Sequence, residues 1–176
     1  WSIAAAATVG ERHLADGRPC EDAWTVRHHT FRGEPWLILA VSNGAGTAGR
    51  AQAGSACAVA AFADAAARCL RDTAARCLYT ESGMTAERLR DCLGAARVAL
   101  AVEAGLAGAH IRDFACTLLG AVIGPGTAAF AQIGDFVRKV AMRAFKRCAV
   151  GKRFALDVGS QRRAGLTKAF SGFFEG

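Results

Sequence analysis

Acidic and amide side chains stand at three places where an apolar stretch of the sequence meets a turn. These places hold Glu21-Asp22, Asn43-Gly44 and Asp135. Side chains at the ends of neighbouring strands can converge on one point, and clustered oxygen ligands suit a hard divalent cation such as Mg²⁺ or Mn²⁺. Spacing alone favours ordinary turn residues, because Asn-Gly and Gly-Asp are common turn sequences.

The elements that must position these residues are five strand-like stretches and two helix-like ones. Strands are predicted at 3–9, 24–30, 36–41, 114–123 and 127–133, and helices over 52–75 and from 85 to about 105. Three strands, a helix pair and two further strands favour an α+β fold built in layers over alternating βαβ units.

Turn and cap signals accompany this order of elements. The apolar run 36–41 follows a turn at 32–35, which predicts a hairpin whose second strand is buried on both faces. Thr85 begins the second helix with an acidic residue in its first turn. The Gly-Pro-Gly sequence at 124–126 predicts a second hairpin, and residues 13–19 are predicted to form a polar loop.

Composition places the chain among folded globular proteins. Its 176 residues are 52% hydrophobic and 21% charged, as expected for one domain or a large part of one. Neither a transmembrane helix nor a signal peptide is predicted, because charges or glycines interrupt every long apolar run and no basic region precedes the first. Seven cysteines without a Cys-x-x-Cys pair favour buried thiols in a reducing cytoplasm over disulfides or a zinc site.

The positive charge of the chain is concentrated at its C-terminal end. The formal net charge is +7, yet residues 1–136 contain 12 Lys and Arg against 13 Asp and Glu. Residues 137–176 contain 10 basic residues against 2 acidic ones, including all four lysines. Because the basicity is confined to this segment, the charge of the chain as a whole does not indicate a nucleic-acid-binding protein.

Four motifs surround the candidate residues. In chain order they are residues 17–23 (GRPCEDA), 39–48 (LAVSNGAGTA), 114–119 (FACTLL) and 131–135 (AQIGD). Their sequences and order resemble the PPM family of type-2C, metal-dependent protein serine/threonine phosphatases, in particular its bacterial branch. The resemblance covers about residues 1–136.

The resemblance implies a fold and a chemistry. The fold would be a β-sandwich flanked by helix pairs, in four layers ordered α-β-β-α. Two Mn²⁺ or Mg²⁺ ions would bind between the strands, and a water bridging them would attack the phosphorus of a phosphoserine or phosphothreonine in a protein partner. Such cations lower the pKa of the water and neutralise charge on the phosphoryl oxygens.

The resemblance also implies a role for each candidate residue. Asp22 would ligate one metal, Glu21 would hold metal-bound water, and Gly44 would contribute its carbonyl oxygen. Asp135 would lie at a peripheral, more weakly held metal. Arg18 stands one residue away from the usual place of a phosphate-binding arginine, and an ordinary loop arginine is the alternative. Two further residues would lie near the site: Thr117 as a packed strand residue, and His13, for which a solvated loop position is the alternative.

Two departures from the family pattern bear on activity. Asn43 occupies the place of an aspartate that bridges both metals, and an amide supplies a neutral acceptor in place of a negative charge. Weakened metal binding and low turnover are therefore expected. After Asp135 the later Asp-Gly and Asp-Asn motifs of the family do not follow, and Asp157 is the only remaining aspartate.

The segment 137–176 is predicted to be a basic tail of separate character. Its abrupt gain of lysine favours a frameshifted or foreign ending, which leaves the C-terminal part of the fold incomplete or divergent. The alternative is a genuine basic amphipathic helix over 136–149, suited to an anionic membrane or a nucleic acid. Three functions follow: an impaired phosphatase, a pseudophosphatase that binds a phosphoprotein without catalysis, and a binding module that uses the basic tail.

Overall fold

The computed structural model describes residue 3 and residues 6–76, 84–134 and 153–158, the last as backbone. The α+β class predicted from the sequence is confirmed. The elements in chain order are α1 (Glu11–Ala15), β1 (Asp22–Phe31), β2 (Glu34–Asn43), α2 (Ala51–Arg76), α3 (Ala86–Leu106), a 3₁₀ turn (Ile111–Phe114), β3 (Leu118–Gly124), β4 (Thr127–Ile133) and β5 (Arg153–Val158).

The strands form a single sheet in the order β1-β2-β3-β4-β5. The first four run antiparallel to their neighbours, and β5 pairs in parallel with β4. Both residues of the β1–β2 turn, Arg32 and Gly33, have positive φ, as in the tight turns that match the twist of a hairpin. Because β5 belongs to the basic segment 137–176, part of that segment joins the sheet.

Helices α2 and α3 pack together and onto the sheet. Alanine and other small residues dominate α2, which lets it approach the strands closely. At the closest point Gly120 of β3 lies under the ring of Phe62, and a Cβ on Gly120 would fall 2.0 Å from that ring. The ring of Phe62 from α2 therefore occupies the space that a side chain at Gly120 would need.

Helix α3 begins as the sequence predicts. The hydroxyl oxygen of Thr85 accepts a hydrogen bond from the backbone N–H of Arg88 at 3.3 Å, which caps the helix N-terminus. Leu89, Leu93 and Ala96 form a buried apolar stripe along α3. The stripe holds α3 against α2 and the sheet.

One helix among the described residues is long and apolar enough to cross a membrane by length and composition. It is the part of α2 from Ala51 to Asp72, and 56% of it is buried inside the protein. Its buried side chains belong to the core between the sheet and α3. This packing accounts for the apolar character of α2.

The structure differs from the predicted elements in three places. Residues 3 and 6–9 form no strand, and Glu11–Ala15 forms a short helix where part of a polar loop was predicted. Strand β3 starts at Leu118 and not at residue 114, because Ile111–Phe114 forms a 3₁₀ turn.

A further difference concerns the burial of β2. Ile38 is fully buried, as expected for a strand covered on both faces, but Val41 is 43% exposed beside its register partner Trp24, which is 44% exposed. These two residues lie on the face of the sheet away from α2. The described residues contain no second sheet to cover that face, so the four-layer sandwich stays a prediction.

Candidate functional site

Glu21 is the buried centre of the site. It immediately precedes β1 and is only 6% exposed. Its backbone carbonyl oxygen accepts hydrogen bonds from the hydroxyl of Ser55 at 2.5 Å and from the N–H of Gly44 at 3.0 Å. The start of β1, the end of β2 and the first turns of α2 are thereby joined at one residue.

The carboxylate of Glu21 is held on one side only. Its Oε1 accepts a hydrogen bond from Nη2 of Arg18, and the same nitrogen donates to the carbonyl oxygen of Gly46 at 3.0 Å. Its Oε2 is buried and has no hydrogen-bond partner among the described residues. Nε2 of His13 lies 3.8 Å from Oε2. One carboxylate oxygen is therefore fixed and the other is available to a ligand.

Gly44 leaves no room for a side chain. A Cβ at this position would fall 2.8 Å from the Cβ of Ala51 and 2.8 Å from the carbonyl oxygen of Glu21. Such distances are shorter than van der Waals contact, so only glycine lets the β2–α2 loop pass this closely. The loop then turns into α2 at Ala51.

Asp22 and Asn43 lie side by side in neighbouring strands. They are register partners at the ends of β1 and β2. Asp22 is exposed, in contrast to the buried Glu21 that precedes it, and Asn43 is half-buried. A carboxylate and an amide therefore stand at one edge of the sheet, next to the Glu21–Gly44 contact.

Thr117 connects this edge to β3. Its N–H donates to the carbonyl oxygen of Asn43 at 2.8 Å, and its hydroxyl oxygen accepts from the N–H of Asn43 at 3.2 Å. Its carbonyl oxygen accepts from the hydroxyl of Ser42 at 2.5 Å. These bonds fix the backbone of Asn43 on the side opposite Asp22.

The end of β4 reaches the same point. Gly134 has a φ of +92° and lies against Thr117, since a Cβ there would fall 2.7 Å from Cγ2 of Thr117. Asp135 is the next residue in the chain and lies outside the described residues. Its predicted place at the site depends on the direction that the chain takes after Gly134.

The predicted site residues within the described part of the chain occupy one end of the sheet. We call them the strand-end cluster: His13, Arg18, Glu21, Asp22, Asn43, Gly44 and Thr117. No three His, Cys, Asp or Glu side chains in the described ranges lie close enough together to form a metal site by themselves. A cation here would also need backbone, amide or water oxygens.

Sequence reasoning missed Ser55 and Gly46. Ser55 is fully buried and ties the first turns of α2 to Glu21. A signal was present, because Ser55 is an isolated hydroxyl in an alanine-rich stretch, and a polar group inside such a stretch needs a hydrogen-bond partner. Gly46 binds Arg18 through its carbonyl oxygen, a contact for which the sequence holds no signal.

Two thiols near the cluster, those of Cys116 and Cys57, have raised pKa values. Burial raises the pKa of the Cys116 thiol, next to Thr117, although a hydrogen bond with Ser42 acts in the opposite direction. Burial also raises the pKa of Cys57, with smaller contributions from Glu103 and Cys116. Thiols with raised pKa values stay protonated near neutral pH, so these two cysteines do not favour a cysteine-dependent reaction.

Comparison with known proteins identifies the family to which the chain belongs. A family model described as protein phosphatase 2C matches residues 9–142, a range that includes the whole strand-end cluster. The chain therefore belongs to the protein phosphatase 2C family of PPM-type phosphatases, as its motifs predicted.

One curated relative is similar over most of the chain. It is the serine/threonine-protein phosphatase 3 of Escherichia coli strain K12, with 29% identity over 139 residues. The match covers 77% of this chain but 51% of that protein, so the chain spans about half the length of its relative. No solved structure gives a significant match.

Proposed function

We propose that the chain takes part in the hydrolysis of phosphoserine and phosphothreonine in proteins, with divalent cations at the strand-end cluster. Membership of the protein phosphatase 2C family supports this reaction, and the Escherichia coli relative is a serine/threonine-protein phosphatase. Mn²⁺ or Mg²⁺ is the expected cofactor, since carboxylate, amide and carbonyl oxygens are the ligands these ions prefer.

The observation that carries the proposal is the unpaired oxygen of Glu21. A buried carboxylate oxygen without a hydrogen bond costs free energy, because it has lost its water and gained no partner. Arg18 balances only the other oxygen. A metal-bound water beside the exposed carboxylate of Asp22 would supply the missing partner, so the residues present fit a hydrated divalent cation.

Each residue of the cluster then has a chemical task. Asp22 would ligate a cation directly, Gly44 would offer its carbonyl oxygen, and Glu21 would accept a hydrogen bond from the attacking water. A bound cation would supply the positive charge that lowers the pKa of that water and stabilises the phosphoryl oxygens. Arg18 already holds Glu21 and Gly46, so we assign it to positioning Glu21 as well as to binding phosphate.

Asn43 is expected to limit the reaction. Unit positive charges about 4 Å apart repel by roughly 4 kcal/mol at an effective dielectric constant of 20, and divalent ions repel more. A bridging carboxylate offsets this repulsion, whereas the neutral amide of Asn43 does not. We therefore expect one cation to bind better than two, with slow turnover.

Metal-stimulated hydrolysis of p-nitrophenyl phosphate tests the proposal. The chain should show a slow rate that requires Mn²⁺ or Mg²⁺, and Asp22→Asn should lower this rate at least roughly 10-fold by removing a ligand charge. Asp16→Asn is the matched control, because Asp16 is an exposed turn residue outside the cluster, and it should leave the rate unchanged. A rate that persists in EDTA, or that survives Asp22→Asn, would refute the assignment.

A second candidate function is a pseudophosphatase that binds a phosphoprotein without hydrolysing it. The neutral Asn43 favours it, because a site that holds one cation can still bind a phosphoryl group electrostatically. Binding of a phosphoserine peptide, measured by fluorescence anisotropy, with no phosphate release would support this function. Phosphate release from the same peptide would exclude it.

A further inference from the structure

A pair of cysteines joins α2 to α3 away from the strand-end cluster. Cys69 lies in the second half of α2 and Cys92 in the first half of α3. Their sulfur atoms are 4.0 Å apart, with the Cys92 thiol directed at the sulfur of Cys69. Cys92 is fully buried, whereas Cys69 is partly exposed. Cys69 is therefore the more solvent-accessible residue of the pair, and Cys92 lies in the core next to it.

The surroundings make the two thiols unequal. The hydrogen bond from Cys92 lowers the pKa of Cys69 to about 7, although burial acts in the opposite direction, and the Arg88 guanidinium makes a smaller lowering contribution. The same hydrogen bond, together with burial, raises the pKa of Cys92. Because the thiolate is the nucleophilic form, Cys69 is the reactive member of the pair at neutral pH.

We propose that Cys69 and Cys92 form a reversible disulfide when the protein reacts with hydrogen peroxide. The sulfur of Cys69 attacks one peroxide oxygen, the O–O bond breaks, and hydroxide leaves, so that Cys69 becomes a sulfenic acid. The sulfur of Cys92 then attacks the sulfur of Cys69, the S–O bond breaks, and the thiol proton leaves with the hydroxyl group as water. The two cysteines together lose two electrons, and the peroxide gains them.

The placement of the pair suits this reaction. A disulfide bond is about 2.05 Å long, so the sulfurs must approach by about 2 Å from their separation in the structure. Small residues already bring α2 and α3 close together, with Ala66 and Ala96 buried in the same core. The disulfide would link α2 covalently to α3 and close a loop between residues 69 and 92.

The expected consequence is a more stable helix pair. Closing a loop of this size restricts the unfolded chain, and disulfides of that kind raise the melting temperature of a protein of this length by about 5–10 °C. A dithiol reductant reverses the bond. The effect is independent of catalysis at the strand-end cluster, so it can be tested whether or not the chain hydrolyses phosphate.

Peptide mapping of the full chain tests the proposal. The protein is treated with hydrogen peroxide, remaining thiols are alkylated, and trypsin digestion is followed by mass spectrometry. Cleavage after Arg68, Arg71, Arg90 and Arg97 should release residues 69–71 linked to residues 91–97. The linked species should disappear on reduction, and its formation should raise the melting temperature by several degrees.

Three variants separate the pair from the other cysteines. Cys69→Ser changes a partly exposed residue and should abolish both the linked peptide and the melting shift, whereas Cys57→Ser should preserve both. Cys77→Ser should also preserve them, since Cys77 is released in a different tryptic peptide. A disulfide from Cys69 to Cys77, or oxidation of Cys69 that stops at the sulfenic or sulfinic acid, would overturn the proposal.

Discussion

The middle of the sheet and the strand-end cluster both depend on a glycine, but for different purposes. Gly120 makes room for the ring of Phe62, an apolar contact inside the core. Gly44 makes room for the backbone of Glu21 and for the start of α2, and hydrogen bonds hold that approach. The first contact mainly supplies stability through burial, whereas the second fixes the position of a carboxylate. The same absence of a side chain serves apolar packing in one region and the positioning of a carboxylate in the other.

The largest effect is expected from filling the space at Gly120. A side chain there collides with the fully buried ring of Phe62, so Gly120→Val should lower the free energy of unfolding by about 3 kcal/mol or more. Urea denaturation followed by circular dichroism measures the change. Gly94→Ala is the control, since a Cβ at Gly94 meets nothing within 4 Å in the interior of α3. That variant should be more stable by about 0.5–1 kcal/mol, and equal stability of the two variants would contradict the packing account.

A smaller loss of stability with a larger loss of function is expected at Gly44. Gly44→Ala must push apart Ala51 and the backbone of Glu21, at a cost of about 1–3 kcal/mol, and this displaces the Glu21 carboxylate from the cluster. Metal-stimulated hydrolysis should therefore fall further than the folded fraction does. Gly49→Ala, in the same loop with open space around it, should change stability by less than about 0.5 kcal/mol. If both variants hydrolyse substrate at the rate of the unmodified chain, the close approach at Gly44 has no role in the site.

The smallest effect is expected in the pH dependence of stability, through His29 of β1. Burial lowers the pKa of His29, with an additional contribution from the Arg71 guanidinium. The unfolded chain therefore binds a proton at His29 more readily than the folded chain, and stability falls as pH drops through about 6.5. His29→Gln should reduce the loss of stability between pH 7.5 and pH 5, as measured by urea midpoints. His28→Gln, at the exposed neighbouring position, should keep the full loss, and equal slopes for both variants would remove His29 as the cause.

The helices and hairpins could be predicted because local signals specify them. Thr85 caps α3 as its sequence indicates, and the Gly-Pro-Gly turn joins β3 to β4. The start of β3 at Leu118, four residues after the predicted start at residue 114, could not be foreseen, because it depends on the capping contacts between His110 and Asp113. The helix at Glu11–Ala15 was missed because the polar loop signal of residues 13–19 outweighed the short run of helix formers before it.

The residues of the candidate site could be named from the sequence, but their arrangement could not. Turn spacing and family motifs identified Glu21, Asp22 and Asn43, and the register of β1 with β2 places the last two side by side. The contrast between a buried Glu21 and an exposed Asp22 could not be read from the sequence, since it arises from the contacts of Ser55 and Arg18 with Glu21. The predicted role of Asp135 stays a prediction, because that residue lies outside the described residues.

Titration with Mn²⁺ by isothermal calorimetry, comparing the unmodified chain with Asn43→Asp, tests the central claim most directly. The unmodified chain should bind weakly and at fewer than two sites, whereas Asn43→Asp should bind at least about 10-fold more tightly and hydrolyse p-nitrophenyl phosphate faster. Asn43→Ser, which restores no charge, should resemble the unmodified chain. Tight binding of two Mn²⁺ ions by the unmodified chain, with no gain in rate for Asn43→Asp, would contradict the account.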